Sequence, residues 1–261
     1  MVITTPLTKN IIPVSDSIVI IPTYNEKENV EAIIRTVFSL PKSFHILIID
    51  DGSPDGTADI VKRLQTEFPE SLHIVERQGK LGLGTAYIAG FRWSIEHKYD
   101  FIFEMDADFS HDPKDLPRLY EACTTGGGDV AIGSRYVGHV VNVINWPIGR
   151  VVMSYFASSY VRIVTGLNIF DTTAGFKCYR REVLETIELD KIRFKGYAFQ
   201  IEMKFTAFKC GFKIVEVPII FSNRVLGVSK MNGSIFGEAF LGVLTLKLKS
   251  FFRKYPQKKR A

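Results

Sequence analysis

Apolar positions in the first 110 residues follow two alternating patterns. Near-continuous apolar runs in SIVIIPTYNE (17–26), FHILIIDDGSPDGT (44–57), LHIVE (72–76) and FIFEMDADFSHDP (101–113) read as buried strands that end in polar turns. Between them the spacing becomes helical. Val30, Ile33, Ile34, Val37 and Phe38 share one face of a first helix, with Asn25 predicted as its N-cap and Glu28 completing a capping box. Ile60, Val61, Leu64 and Phe68 line a second helix, and a third follows the glycine-rich stretch 79–90, near Ala86–His97. Strands alternating with helices of this length predict βαβ units and a mainly parallel sheet, an open α/β architecture of the nucleotide-binding type. Ligands of such sheets sit at the carboxyl ends of the strands. Three polar turns fall there: Pro22–Glu26, Asp50–Asp55 and Asp106–Asp108.

The last of these carries the most chemistry. Asp106 and Asp108 are spaced i, i+2, which on a strand puts two carboxylates on one face, about 6–7 Å apart. Such a pair suits a hard divalent cation, Mg²⁺ or Mn²⁺, that leaves positions open for substrate phosphates. A solvated turn built from Asp, Ser and Pro is the competing reading.

Other nucleotide motifs are missing. No GxGxxG follows the first strand and no GxxxxGK[ST] occurs, which disfavours dinucleotide dehydrogenases and P-loop enzymes. Gly79–Gly84, with Lys80, is a lone cluster whose glycines are expected to serve helix–sheet packing. A net charge of +5 (33 basic, 28 acidic), without a zinc finger or aromatic-laced basic stripe, argues against nucleic acid as a partner. Cys123, Cys178 and Cys210 are expected to be buried free thiols of a reducing compartment. No signal peptide is read at the start and no transmembrane span anywhere. Residues 235–252, followed by Arg253, Lys254, Lys258, Lys259 and Arg260, fit either an amphipathic helix on an anionic membrane or a packed helix with a solvated basic end.

Six motifs occur in order: Pro22–Glu26 (PTYNE), Asp50–Thr57 (DDGSPDGT), Asp106–Asp108 (DAD), Gly133–Tyr136 (GSRY), Asp171–Phe176 (DTTAGF), and 224–230 (RVLGVSK). Together they resemble the dolichol-phosphate mannosyltransferase group of inverting, GT-A-fold family 2 glycosyltransferases, over about residues 17–250. The resemblance implies a catalytic domain at 1–230, with the C-terminal helix and tail (231–261) part of the same unit. It implies that Pro22, Tyr24, Glu26, Ile49 and Asp51 hold the nucleoside, and that Asp106 and Asp108 bind Mg²⁺ or Mn²⁺. Ala107 meets the donor through its backbone, and Ser110 stands where some relatives place a further metal ligand. Arg135, Arg224 and Lys230 grip the donor and its phosphates. Arg150 and Ser154, with Arg135, fall where relatives bind the lipid phosphate.

These implications make chemical sense. Arginine forks and a lysine beside a cation site suit a nucleoside diphosphate and a second phosphate, and would stabilise the charge that builds on the departing diphosphate. A polyprenyl monophosphate acceptor is already anionic and needs no general base. His111 is therefore expected to be a turn-capping or solvent-facing side chain, Asp112 and Asp115 N-terminal helix residues, and Glu202 an acceptor-side support or half of a buried ion pair. The implied reaction moves mannose from GDP-mannose to a polyprenyl (dolichyl-type) phosphate on the cytoplasmic face of a membrane. The enzyme would bind peripherally, through the 155–167 segment and the 235–252 helix or through a small membrane-protein partner. UDP-glucose is the alternative donor. A sugar nucleotidyltransferase and a non-catalytic lipid-carrier-binding module are the alternatives of other classes.

Overall fold

The structure, a computed structural model, describes residues 15–137, 140–196, 198–222 and 234–259. The first half alternates as the pattern predicts: β1 (Ser17–Thr23), α1 (Val30–Phe38), β2 (His45–Asp50), α2 (Thr57–Gln65), β3 (Leu72–Glu76), α3 (Leu83–Glu96) and β4 (Phe101–Glu104). Then come α4 (Leu116–Thr124), β5 (Val130–Ser134), the short strands β6 (Tyr136–Val137), β7 (Val140–Val141) and β8 (Val143–Ile144), and the long helix α5 (Ile148–Thr165). β9 (Lys177–Arg180), α6 (Arg181–Thr186), α7 (Ala198–Lys209), β10 (Ile214–Pro218), β11 (Phe221–Ser222) and α8 (Ser234–Ser250) complete the chain.

Seven strands form the main sheet in the order β10-β5-β9-β4-β1-β2-β3. All pair in parallel except β9, which is antiparallel to both β4 and β5. The continuous apolar runs are explained by burial of both sheet faces. Ile18, Ile20, Leu47 and Ile49 point into a core shared with α3, α6 and α7. Their neighbours Val19, Ile21, Ile46 and Ile48 point into the core under α1, α2 and α4. The expected helix–sheet packing appears at Gly90, where a Cβ would lie 2.7 Å from Ile20. Within the Gly79–Gly84 cluster a Cβ on Gly84 would instead lie 2.8 Å from the Phe199 ring, and Gly79 and Gly82 turn the chain with φ of 82° and 102°.

Reversal of β9 matters for the site. Its first residue, Lys177, lies opposite Glu104 at the end of β4, so the Asp171–Phe176 loop reaches the same sheet edge as the carboxyl ends of the parallel strands.

Two local expectations change. Asn25 does not cap α1; it adopts a left-handed backbone (φ 55°) and its N–H donates to Ser53 Oγ at 3.0 Å, while Asn29 precedes the helix. β4 ends at Glu104, so Asp106 and Asp108 sit in the turn beyond it and the alternation of a strand does not set their directions. The three cysteines are buried and free. Among the described residues no helix is long and apolar enough to cross a membrane.

Candidate active site

The strand-end turns are stitched to one another. Glu26 is buried, accepts a hydrogen bond from Asn29 Nδ2 at 3.0 Å, and donates its N–H to Thr57 Oγ1 at 3.0 Å. Asp50 is structural: Thr23 Oγ1 and the N–H and hydroxyl of Ser53 all donate to its carboxylate. Asp51 is clamped by Arg77, whose Nε and Nη2 reach Oδ1 at 2.7 and 2.5 Å. Arg77 follows β3 directly, a strand-end position that the sequence reading passed over. Lys80 Nζ lies 5.4 Å from the Tyr24 ring centroid, a cation–π distance. Pro22 and Tyr24 are half-buried at the same edge, and Ile49 is fully buried in the sheet core.

In the next turn Asp106 is 41% exposed, whereas Asp108 is buried and accepts the Ser110 N–H at 3.0 Å. Ala107 and Ser110 are buried beside them. Tyr87, itself buried, donates to Asp106 Oδ1 at 3.4 Å. Phe109 holds a left-handed backbone (φ 57°), a strained conformation for a bulky residue and of the kind that concentrates at working sites.

His111 is neither turn-capping nor solvent-facing. It is 3% exposed, stacked 5.0 Å from Phe176 and edge-on to Phe221, with Nδ1 3.9 Å from Asp106 Oδ2. Burial lowers its pKa to about 4 against the raising effect of the nearby Asp108 carboxylate, so the ring is neutral at pH 7. The expectation for Asp112 holds: it caps the short turn 113–115 by accepting the Lys114 N–H at 3.0 Å.

Arg135, 7% exposed, is held by Asp171. Its Nε and Nη2 donate to the two carboxylate oxygens at 2.7 Å each, its backbone N–H donates to Oδ2 at 3.0 Å, and Nη2 also reaches Thr173 Oγ1 at 2.6 Å. Burial pushes the Asp171 carboxyl up, but Arg135 outweighs it and lowers the value to about 2. The Arg135 guanidinium lies 5.4 Å from the Trp146 ring and 5.6 Å from Phe221. Arg150, on α5, covers the Trp146 ring at 4.0 Å. Ser154, one turn along the same face, has an occluded hydroxyl oxygen without a hydrogen-bond partner. Arg135 and Arg150 thus meet around Trp146, with Ser154 one turn from Arg150 on α5. Arg224 and Lys230 lie outside the described residues.

Beneath the loop is a buried polar cluster that the sequence reading missed. Glu104 and Lys177 are both fully buried and paired at 2.8 Å; Gln200 donates to Glu104 at 2.8 Å and accepts from Lys177. Glu216 receives the N–H groups of Phe170 and Asp171 at 2.7 and 2.9 Å. Glu202 is in no ion pair among the described residues: it accepts the N–H groups of Arg193 and Phe194, and burial raises its pKa.

The donors at this edge are of the chemical type that a divalent cation takes. Among the described residues no three acidic, histidine or cysteine groups converge on one point. An all-oxygen set of two carboxylates with a hydroxyl nearby is nevertheless what Mg²⁺ or Mn²⁺ uses when phosphates and waters fill the remaining positions.

Residues 18–188, most of the chain, match the model of glycosyl transferase family 2. The chain belongs to glycosyl transferase family 2. It is 49% identical to polyprenol monophosphomannose synthase of Mycolicibacterium smegmatis, over 88% of this chain and 86% of that protein. With the undecaprenyl-phosphate mannosyltransferase of Micrococcus luteus it shares 48% identity, over 86% of this chain and 90% of the relative. Two solved structures share the fold. Glucosyl-3-phosphoglycerate synthase of Mycobacterium tuberculosis, solved with Mn²⁺ and UDP, superposes with a TM-score of 0.62 at 19% identity, covering 89% of this chain and 79% of that one. A mannosyltransferase of Pyrobaculum calidifontis, solved with GDP-mannose and Mn²⁺, gives 0.58 at 16%, covering 92% and 66%. Membership of the family disfavours the nucleotidyltransferase and non-catalytic readings.

Proposed function

We propose that this family 2 enzyme transfers mannose, with inversion, from GDP-mannose to a polyprenyl monophosphate, using Mg²⁺ or Mn²⁺. The observation that carries the reading is near-full-length identity of 48–49% to two proteins named for mannosyl transfer to a polyprenyl phosphate. The convergence of the donor-type turns with Asp106 and Asp108 at one sheet edge supports it.

In this reading Pro22, Tyr24, Glu26, Ile49 and Asp51 form the nucleoside side, with Asp51 braced by Arg77. Asp106 and Asp108 hold the cation, with Ser110 beside them, and Ala107 offers its backbone to the donor. The cation, when bound, neutralises charge on the diphosphate. Arg135, Arg150 and Ser154 receive the acceptor phosphate, whose anionic oxygen attacks the sugar C1. The C1–oxygen bond to the diphosphate breaks and GDP leaves with the electron pair, so no side chain needs to remove a proton. The neutral, enclosed His111 accords with that, since it sits away from solvent and is not required as a base. Arg224 and Lys230 are assigned to the donor phosphates.

The acceptor is a membrane lipid, and the apolar surface suits it. Ile148, Phe156 and Ile163 of α5 and Leu241, Leu248 and Phe252 at the C-terminal end are exposed, Ile148 and Ile163 at 82% and Phe252 at 92%. α5 and α8 are joined by Tyr160 stacked on Phe240 at 4.4 Å. The described part of α8 carries apolar residues on its packed side (Val243, Leu246) and on its open side. The basic tail is partly committed elsewhere: Lys258 pairs with Asp129 at 2.7 Å and Arg253 lies 4.0 Å from Glu188.

The test is labelled GDP-mannose offered with polyprenyl phosphate and Mg²⁺ or Mn²⁺, with UDP-glucose as the parallel donor. Label from GDP-mannose entering the lipid phase supports the reading; label from UDP-glucose alone, or from neither, overturns it.

A further inference from the structure

Lys204 is a charged residue in an unusual place. It lies within α7, whose residues Ala198–Ala207 are all buried, and it is fully buried itself. Lys177, the other buried lysine of this region, has Glu104 as counter-ion. Lys204 forms no ion pair with any described carboxylate; its Nζ donates to the Ala174 carbonyl at 2.6 Å. Burial, reinforced by the nearby Lys177 charge, drives its pKa well below the ordinary lysine value. A lysine nitrogen in a helix core that makes no ion pair, with Asp171 and Glu104 acting on it only through space, costs stability, and apolar packing of similar volume would be no worse.

Its single acceptor belongs to the loop that governs Arg135. Within the Asp171–Ala174 turn the Ala174 N–H reaches the Asp171 carbonyl at a long 3.5 Å, and the Thr173 N–H and hydroxyl reach the Asp171 carboxylate at 3.3 and 3.1 Å. Groups from outside the turn hold its two ends. On its N-terminal side Glu216 takes the Phe170 and Asp171 N–H groups. On its C-terminal side Lys204 fixes the Ala174 carbonyl, while Lys177 reaches the Gly175 carbonyl at 3.2 Å and Ala174 only at 3.4 Å. Asp171, between these anchors, sets the guanidinium plane of Arg135 through two 2.7 Å bonds.

We propose that Lys204 is a positioning residue: by tying down the Ala174 carbonyl it holds the Asp171 loop, and through Asp171 the Arg135 guanidinium, in the geometry that receives the acceptor phosphate. The consequence for transfer rests on the function proposed above; the anchoring of the loop does not. A small misplacement of a substrate-orienting group costs up to about 100-fold in rate. Lys204→Met, which keeps chain length and removes the donor, should lower kcat for mannosyl transfer at least about tenfold while GDP affinity stays within about twofold. Lys204→Gln, which restores a neutral N–H donor, should recover part of kcat.

The same variants separate a positioning role from a merely structural one. Lys204→Met should melt at or above the wild-type temperature, yet the amides of Asp171–Gly175 should exchange with solvent faster while those of β1 and β2 do not change. Exchange of the loop unchanged in both variants, or a Lys204→Met kcat within twofold of wild type, overturns the proposal. So does a kcat loss that Gln does not relieve and that tracks a fall in melting temperature. If wild type transfers no mannose, the functional reading fails, and loop exchange still decides whether Lys204 is the anchor.

Discussion

Lys177→Met should be among the costlier single substitutions in the chain, and removing its partner as well should restore most of the loss. Glu104 and Lys177 face each other at the junction of β4 and β9, both fully buried. The salt bridge is 2.8 Å long, and Glu104 Oε1 has no hydrogen-bond partner. Removing the ammonium leaves the carboxylate with the Gln200 amide at 2.8 Å and the influence of the buried Tyr179 hydroxyl and Lys204, but no ion pair. Breaking a buried pair from one side costs about 3–5 kcal/mol. A loss of about 3–4 kcal/mol is therefore expected at pH 7. Denaturant unfolding of wild type, Lys177→Met and the double variant Glu104→Leu/Lys177→Met at pH 7 measures this. The double variant, with both charges removed, should lie within about 1–2 kcal/mol of wild type. A single-variant loss under about 1 kcal/mol, or a double variant as unstable as Lys177→Met alone, would refute this.

Two further outcomes follow from the surface and the edge of the fold. Burial, and then the charges of His45 and His97, lower the His73 pKa to about 4 from an ordinary 6.5. The folded state therefore binds fewer protons than the unfolded one, and stability should fall as pH drops from about 6.5 to about 4; His73→Gln should flatten that limb of a melting-temperature profile, and an unchanged slope would contradict the assignment. Asp171, lowered to about 2 from 3.8, adds a second loss only below that window. Leu248→Glu/Phe252→Glu should reduce sedimentation with anionic vesicles severalfold, and added salt should weaken wild-type binding through exposed Lys249, Lys254 and Lys259; vesicle binding indifferent to both changes would count against a membrane-facing α5–α8 surface.

The parallel half of the fold was legible because its strands are buried on both faces and its helices on one, so hydrophobic spacing alone separates β1–β4 from α1–α3. The candidate site was legible where a turn follows such a strand. What the pattern could not show is what depends on pairing across the sheet. The reversal of β9 brings Asp171–Phe176 to the edge, and no local signal in KCYR announces its direction. Lys177, Lys204 and Glu104 carry no local signal of their role, because lysine and glutamate are seldom fully buried without partners and only the fold supplies those partners. His111 was misread for a related reason: a DFSHDP stretch has turn composition, yet Phe176 and Phe221, far along the chain, enclose the ring. Asn25 has the right spacing for a capping box, but its left-handed backbone is spent on the tie to Ser53.

The central claim is a cation-dependent transfer at the Asp106–Asp108 turn. Its most direct measurement is the rate at which labelled mannose passes from GDP-mannose into extractable polyprenyl-phosphate lipid, for wild type with Mn²⁺, wild type with chelator, and Asp108→Ala with Mn²⁺. The account predicts ready transfer in the first case and a loss of at least about a thousandfold in the other two, on the scale of removing a main electrostatic stabiliser of a leaving group. Transfer that survives both the chelator and Asp108→Ala would contradict it.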